Sequence, residues 1–391
     1  MKKLLCLLAL ALLLPVWAAA DTAAEVTSGC AMTMGTQTVP AKKLAKMQDD
    51  DYNTYYTLKP GKTLTVQAEQ ELGGVWLQLF DVVRKLTMEA LVGEEWVTVS
   101  ENPAHLTDWY ALPEGATAFR IKNNDSWNLW IGEMAVYAPG DKPAEVHQWQ
   151  ELTRSDLMLI VAHPDDDLLW FAGLLPTYAG ERQLQVQVAY LVPTTGNRKL
   201  ELLDALWLCG VRAYPAFLDF RDVRGGTMEK QYDRWGGQNK VVGRVVQAIR
   251  RYRPSVIVTQ GEKGEYGHPA HKVVCDAVKR AITQTGNADK FPKSSEMYGT
   301  WEVQKVYLHE YTKNQLHMDW HVPLSAFGGE DAYSVACRAM ACHASQVKHG
   351  WALEDPGEHD NTLFGLYYTA VGADEACDDL MEHVVPVGEA S

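Results

Sequence analysis

The sequence is poor in positive charge and lacks most of the motifs that announce a chemistry. Lys and Arg number 36 against 50 Asp and Glu, a formal net charge of −14. Binding to a phosphate backbone needs clustered Lys and Arg, which this chain does not have, so a nucleic-acid partner is excluded. There is no Cys-x-x-Cys pair, and a cysteine-held zinc cluster goes with it. No Gly-x-Ser-x-Gly elbow or convincing Cys–His pair supplies a covalent nucleophile. No Gly-x-Gly-x-x-Gly follows a strand and there is no P-loop, which sets NAD and ATP enzymes aside. Internal repeats and low-complexity tracts are missing too. The chain is 47% hydrophobic and 22% charged, an ordinary balance that excludes disorder, collagen and coiled coil as the main architecture. At roughly 150 residues per domain, its 391 residues suggest two.

The only long apolar run is at the start. Lys2 and Lys3 precede Leu4–Val16, and Ala18-Ala19-Ala20 gives small residues before Asp21, the pattern of a cleaved signal at 1–20. The run is short of the ~20 residues that span a bilayer, so no membrane span is expected after cleavage. The protein is expected to be exported: secreted, periplasmic or cell-surface. Six cysteines then remain, Cys30, Cys209, Cys275, Cys337, Cys342 and Cys377. Their scatter through apolar stretches suits buried thiols better than a stapled scaffold.

What is present divides into two halves of different period. From Asp51 to Tyr137 apolar residues alternate with polar ones. Leu64 and Val66 oppose Thr63 and Thr65, and Phe119 and Ile121 oppose Arg120 and Lys122, with turns at Pro60-Gly61, Gly73-Gly74 and Asn123-Asn124-Asp125. This indicates an all-β sandwich, followed by a linker around Ala138–Pro143. After it, strands expected at 157–162, 186–192, 216–220, 256–259 and 303–311 alternate with helices at 168–179, 198–209, 241–252 and 271–283. Gly210 stands where a helix C-terminus wants a left-handed residue. Such alternation implies an α/β unit with a mainly parallel sheet. The divisions are 1–20 signal, 27–138 sandwich, 139–152 linker and 153–391 α/β domain.

In an open parallel sheet, ligands bind beyond the carboxyl ends of the strands. Two strands here end in polar clusters: Ala162-His163-Pro164-Asp165-Asp166-Asp167, and Gln260-Gly261-Glu262-Lys263-Gly264-Glu265-Tyr266-Gly267-His268-Pro269-Ala270-His271. Two histidines and one carboxylate, from His163, Asp166 and His271, form the donor set of a hydrolytic zinc site and equally of a non-haem Fe(II) site. The blander reading makes the aspartates helix caps, which leaves His163 and the second His-x-x-His unexplained. Trp127-Asn128-Leu129-Trp130 suits core and sugar-stacking surface equally. His343 is more readily a packing histidine than a site residue. His105, His147, His309, His317, His321, His349, His359 and His383 read as surface histidines.

The AHPDDD strand end and the GEYGHPAHK loop resemble the PIG-L/LmbE-type N-acetylglucosaminyl deacetylases, over about Asp156–Gly372. The resemblance takes in Arg198 and Glu201 on one helix, Lys305-Val306-Tyr307, and His343-Ala344-Ser345-Gln346. It implies a Rossmann-like fold and a metal-dependent hydrolase that removes acetyl from an N-acetylated aminosugar or glycan. His163, Asp166 and His271 are implied to bind the metal, usually zinc, with Fe2+ the other candidate. Asp165 is implied as general base and His268 as the protonated partner of the oxyanion and the leaving amine. Tyr266 is implied near the same oxygen, and Arg198 and Asp222 at sugar hydroxyls. Two positions depart from the family pattern: Asp167, where Glu is usual, and Ala270, where an acid is common.

The front half more weakly resembles a discoidin or galactose-binding-like jelly roll, on Asp51–Thr57, Ala118–Ile121 and Ile131–Tyr137. The expectation is an exported zinc-dependent deacetylase acting on an N-acetylglucosamine-type sugar. The alternatives are a non-catalytic carbohydrate-binding protein and a metal-dependent amidase for a non-sugar amide. The sequence leaves the oligomeric state open.

Overall fold

The computed structural model describes residues 22–80, 84–194, 196–223 and 225–387, so the signal expected at 1–20 lies outside them. Strands begin earlier than the alternation suggested. β1 (Ala31–Met34) and β2 (Gln37–Thr38) lead through a helical turn, α1 (Ala41–Leu44), to β3 (Tyr56–Leu58), β4 (Thr63–Gln67) and β5 (Gly74–Leu79). β6 (Leu86–Val92), β7 (Glu95–Glu101), β8 (Thr107–Ala111), β9 (Ala116–Asn123) and β10 (Leu129–Tyr137) complete this half. They form a six-stranded sheet, β2-β1-β4-β9-β6-β7, and a four-stranded sheet, β3-β10-β5-β8. Period-2 alternation sends Leu64, Val66, Met88, Phe119 and Ile121 of one sheet, and Leu77, Leu79, Ile131 and Met134 of the other, into a shared core. The Trp127–Trp130 stretch splits: Trp127 is 66% exposed, while Leu129 is buried.

The linker is not a free tether. Val146 and Trp149 are buried, and Trp149 Nε1 donates to Thr107 Oγ1 of β8 (2.9 Å). Trp207 Nε1 donates to the carbonyl of Ala144 (2.9 Å), so both halves grip this segment.

The second half holds β11 (Ser155–Val161), α2 (Asp166–Leu169), β12 (Val186–Tyr190), α3 (Asn197–Leu208), β13 (Ala216–Phe217), α4 (Met228–Arg234) and α5 (Gln238–Tyr252). Next come β14 (Pro254–Thr259), α6 (Pro269–Ile282), α7 (Pro292–Tyr298), β15 (Lys305–His309) and β16 (Gln315–His317). α8 (Ala332–Cys342), α9 (Ala344–Val347) and β17 (Leu363–Thr369) close it. The sheet order is β13-β12-β11-β14-β15-β17-β16. The sheet is mixed, with four parallel ladders joining β13, β12, β11, β14 and β15 and two antiparallel ones, where β17 pairs with β15 and β16.

The helix expected at 168–179 breaks after Leu169, and a π-helical turn follows at Pro176–Glu181. Pro176 cannot donate to a continuing helix. Gly173 packs so closely that a Cβ there would stand 2.7 Å from Ala332 Cβ. Gly210 does end α3 as expected, at φ +89°. Its N–H bonds to Trp207 O and that of Val211 to Leu206 O (both 3.0 Å), the Schellman pattern. Among the described residues the six cysteines are free thiols, and no helix is long and apolar enough to cross a membrane.

One topological fact positions the site. β11 and β14 are adjacent parallel partners, with Ile160 opposite Thr259. Thr259 Oγ1 donates to Ile160 O (2.7 Å). The two polar clusters therefore leave the same edge of the sheet side by side.

Candidate metal and catalytic site

Asp166 sits between two imidazoles. One carboxylate oxygen lies 3.3 Å from His163 Nδ1 and the other 3.3 Å from His271 Nε2. Three donors fix the group: the His163 backbone N–H (2.7 Å) and Gln260 Nε2 (3.1 Å) on Oδ2, and Trp170 Nε1 (3.0 Å) on Oδ1. Burial pushes its pKa up, but His271 and His163 outweigh burial and hold it well below the carboxylate range.

His271 is fully buried. Its Nδ1 lies 2.6 Å from Glu265 Oε2, while its Nε2 finds no hydrogen-bond partner. An orphaned ring nitrogen whose opposite atom is fixed by a carboxylate fits a metal ligand. Nitrogen atoms of His163, His268 and His271 lie within 4.8 Å of one another. The donor chemistry therefore fits a divalent cation, and the structure adds His268 to the expected trio as a further nitrogen. Burial lowers the His271 pKa, but Asp166 and Glu265 more than reverse this, raising it to about 10.

Asp165 adopts φ +107°, a left-handed backbone that a non-glycine residue holds only at a cost of order 1–3 kcal/mol. It occupies the N-cap position of α2 yet makes no side-chain cap bond, so the capping reading does not describe it. Arg198 Nη2 reaches Asp165 Oδ1 (3.2 Å) and Pro164 O (2.7 Å). Arg198, read as a sugar contact, is thus first of all the partner of Asp165. Burial raises the Asp165 pKa well above normal, with Arg198 pulling it down and Asp166 and Asp167 pushing it up.

His268 caps α6, its Nδ1 accepting from Ala270 N–H (3.3 Å). Its ring lies 5.0 Å from that of His163 and 4.5 Å from that of His271. Burial and these neighbours push its pKa down to about 4. Tyr266 is half-exposed above the histidines. Burial and the aspartates push its pKa up, so it remains a phenol. Asp222 Oδ1 lies 3.9 Å from His163 Nε2. A cavity of about 540 Å³ takes in His163, Asp165, Asp166, Arg198, Asp222, Tyr266 and His268. Every expected site residue lines it except His271, which is buried behind it.

Sequence reasoning missed the groups that hold these residues. Glu265 is buried and bonds His271, the Gly261 N–H (2.9 Å) and His309 Nδ1 (3.1 Å). Burial raises its pKa, but both histidines hold it at about 2. The signal available was an acid six residues before a metal-type histidine in one loop, since such histidines usually hand their second nitrogen to a carboxylate. His309, read as a surface residue, is buried, with Nε2 bonded to Asp360 O (3.0 Å). His105 and His147 are buried too, the first between Asp108 (2.8 Å) and Glu151 (3.2 Å). Glu201 accepts from Ser345 N–H (3.0 Å), tying α3 to α9. His343 is fully buried beside them.

Residues 158–282, which include the expected site residues, match the family model described as PIG-L: GlcNAc-PI de-N-acetylase. A 1D-myo-inositol 2-acetamido-2-deoxy-alpha-D-glucopyranoside deacetylase of Rhodococcus jostii is 28% identical over 230 residues, covering 52% of this chain and 70% of the relative. The protein of that name from Mycobacterium leprae is 26% identical over 250 residues, covering 50% and 81%. A solved N,N'-diacetylchitobiose deacetylase from Pyrococcus horikoshii, bound to its inhibitor MPG, covers 49% of this chain and 70% of its own at 16% identity. Its TM-score is 0.38, too low to weigh in assigning the fold.

Proposed function

We propose that the PIG-L family domain in the second half of this chain is a metal-dependent deacetylase that hydrolyses the N-acetyl group of an N-acetylglucosamine-type sugar or glycan. The observation that carries this is the orphaned His271 Nε2, locked by Glu265 and facing His163, His268 and Asp166 where two parallel strands end together. The similarity to named aminosugar deacetylases supports the substrate class.

His163, Asp166 and His271 would hold the ion, zinc or else Fe(II), and His268 is a further nitrogen within 4.8 Å of those of His163 and His271. When bound, such an ion supplies a Lewis acid for the acetyl carbonyl. Asp165 takes the proton of the attacking water. Its raised pKa suits accepting and then returning that proton, and Arg198 keeps its carboxylate in place. Tyr266, kept as a phenol, donates to the carbonyl oxygen. His268, which lines the same cavity as Asp165, relays a proton to the departing nitrogen. Hydroxyl adds to the acetyl carbon, the C–N bond breaks, and acetate and a free amine leave. Asp222 and Arg198, with Gln346 and His349, are polar groups on the wall open to sugar hydroxyls. Among the described residues Arg198 is the one Lys or Arg lining the cavity, and it is already paired with Asp165.

The protein acts outside the cytoplasm in this reading, and the N-terminal sandwich tethers it to glycan. The test is acetate release from N-acetylglucosamine, its β-linked oligomers, N-acetylgalactosamine and non-sugar acetamides, with protein stripped of metal and resupplied with zinc. Zinc-dependent release from a sugar supports the reading. Release from the non-sugar amides alone replaces it with an amidase, and no release with zinc bound replaces it with a binding protein.

A further inference from the structure

The site cavity does not end at the histidines. Leu169, Trp170, Tyr266 and Trp351 also line a second cavity of about 390 Å³. Three of the four form an aromatic wall between the chambers. Ring centroids are 5.6 Å apart for Trp170–Tyr266, 5.8 Å for Tyr266–Trp351 and 6.4 Å for Trp170–Trp351. Trp170 is buried, but Tyr266 stays 50% and Trp351 37% exposed. Large flat side chains left in water beside a reaction site are surface for a ligand with one apolar face.

The far chamber has a different polarity. Glu354, Glu358 and His359 line it, and among the described residues its lining includes no Lys or Arg. It is built rather than loose. Buried Asn361 donates to Glu354 O (2.7 Å), Trp320 Nε1 donates to Asn361 O (3.0 Å), and the Glu358 N–H bonds Glu354 Oε2 (3.2 Å). These residues lie beyond the segment 158–282 that matches the family.

We propose that the far chamber is a second sugar subsite, which binds the ring next to the one being deacetylated when that neighbour already carries a free amine. The inference rests on the deacetylase reading, whose product is itself an amine. The neighbouring pyranose lays its C–H face on Trp351 and Tyr266, and its ammonium group meets the ring faces and the Glu354 and Glu358 carboxylates. The ligand class is an oligomer of glucosamine, partly deacetylated, on which each round prepares the contact for the next. A phosphate or uronic acid at that position meets two carboxylates and is disfavoured.

The experiment is calorimetric binding of glucosamine, β-1,4-linked glucosamine disaccharide and its diacetylated form to the zinc-loaded full chain carrying Asp165→Asn, which holds zinc without turning the diacetylated sugar over. The diamine disaccharide should bind about 10-fold tighter than the monomer. Trp351→Ala should reduce that gain to under about 3-fold, and the double variant Glu354→Gln, Glu358→Gln should reduce it for the diamine alone. Equal affinity for monomer and disaccharide overturns the subsite, as does a gain that survives in both variants. A gain equally large for the diacetylated disaccharide overturns the preference for a free amine. Acetate release by the wild type, measured in parallel, tests the other reading separately: release without any disaccharide gain sinks the subsite alone, and a gain without release sinks the deacetylase reading and leaves only a two-ring binding cleft.

Discussion

Replacing Glu265 by Gln removes a charge without removing volume, and it tests whether this residue governs the metal. The carboxylate is buried and serves His271, His309 and the Gly261 N–H at 2.6, 3.1 and 2.9 Å. The remaining amide oxygen keeps either the Gly261 and His309 bonds or the His271 bond, depending on which way the amide is turned, but not the charge on any of them. A hydrogen bond to a charged group is worth ~1.5–3 kcal/mol, or about 10- to 100-fold in an equilibrium constant. Loss of an outer-shell partner of a metal-binding histidine falls in the same ~10–100-fold range. Zinc affinity of E265Q, measured by competition with a chromophoric chelator, should fall by that factor. Thermal unfolding of the metal-free variant should show that the fold persists. A change in zinc affinity of less than about threefold would refute the reasoning, because His271 would then need no carboxylate to orient it.

Asp165→Asn should abolish acetate release while zinc content stays near that of the wild type, whereas His163→Ala should lose both; substantial turnover by Asp165→Asn removes that residue from the proton-transfer role. Asp204, bonded to Tyr52 of the sandwich and 3.4 Å from His147 Nε2, has its pKa raised to about 8 by burial. Its contribution to stability is complete below about pH 4, the unfolded value, and is lost as pH rises through 8. His147, pushed down to about 3 by burial, works in the opposite sense below its unfolded value of about 6.5, so the test is the difference curve: calorimetric Tm of wild type minus Asp204→Asn should fall between pH 5 and 9, and a flat difference counts against the assignment. Arg250 is buried and donates to four backbone carbonyls, those of Gln284, Thr285, Asn287 and Phe291; Arg250→Met should cost about 4 kcal/mol, roughly 10 °C in the Tm of this domain, and a shift under about 2 °C would mean the carbonyls find water instead.

The chemistry was legible where it is local. The two polar strand ends each sit in one short stretch, and the rule that ligands gather at the carboxyl edge of a parallel sheet joined them before any geometry was known. What escaped was whatever acts through a distant neighbour. Gln260 holds Asp166 across 94 residues, and His309 reaches Glu265 and Asp360 across 44 and 51, so nothing near His309 in the chain marks it as buried. The helix expected over 168–179 failed for a physical reason: the apolar period was present, but Gly173 is pressed against α8 and Pro176 has no N–H to give. β17 went unseen because its exposed and buried residues do not alternate along Leu363–Thr369.

Trp170 is a single rigid plane with two employers. Its indole nitrogen holds the Asp166 carboxylate, while its ring packs on Tyr266, Trp351 and His359 in the wall of the second chamber. A flat ring cannot tilt at one end and stay still at the other. Whatever presses on the wall also leans on a carboxylate at the centre of the reaction, so length of ligand and pace of chemistry share one lever. Trp170→Phe keeps much of the wall and removes the N–H, and would leave the two chambers as separate rooms.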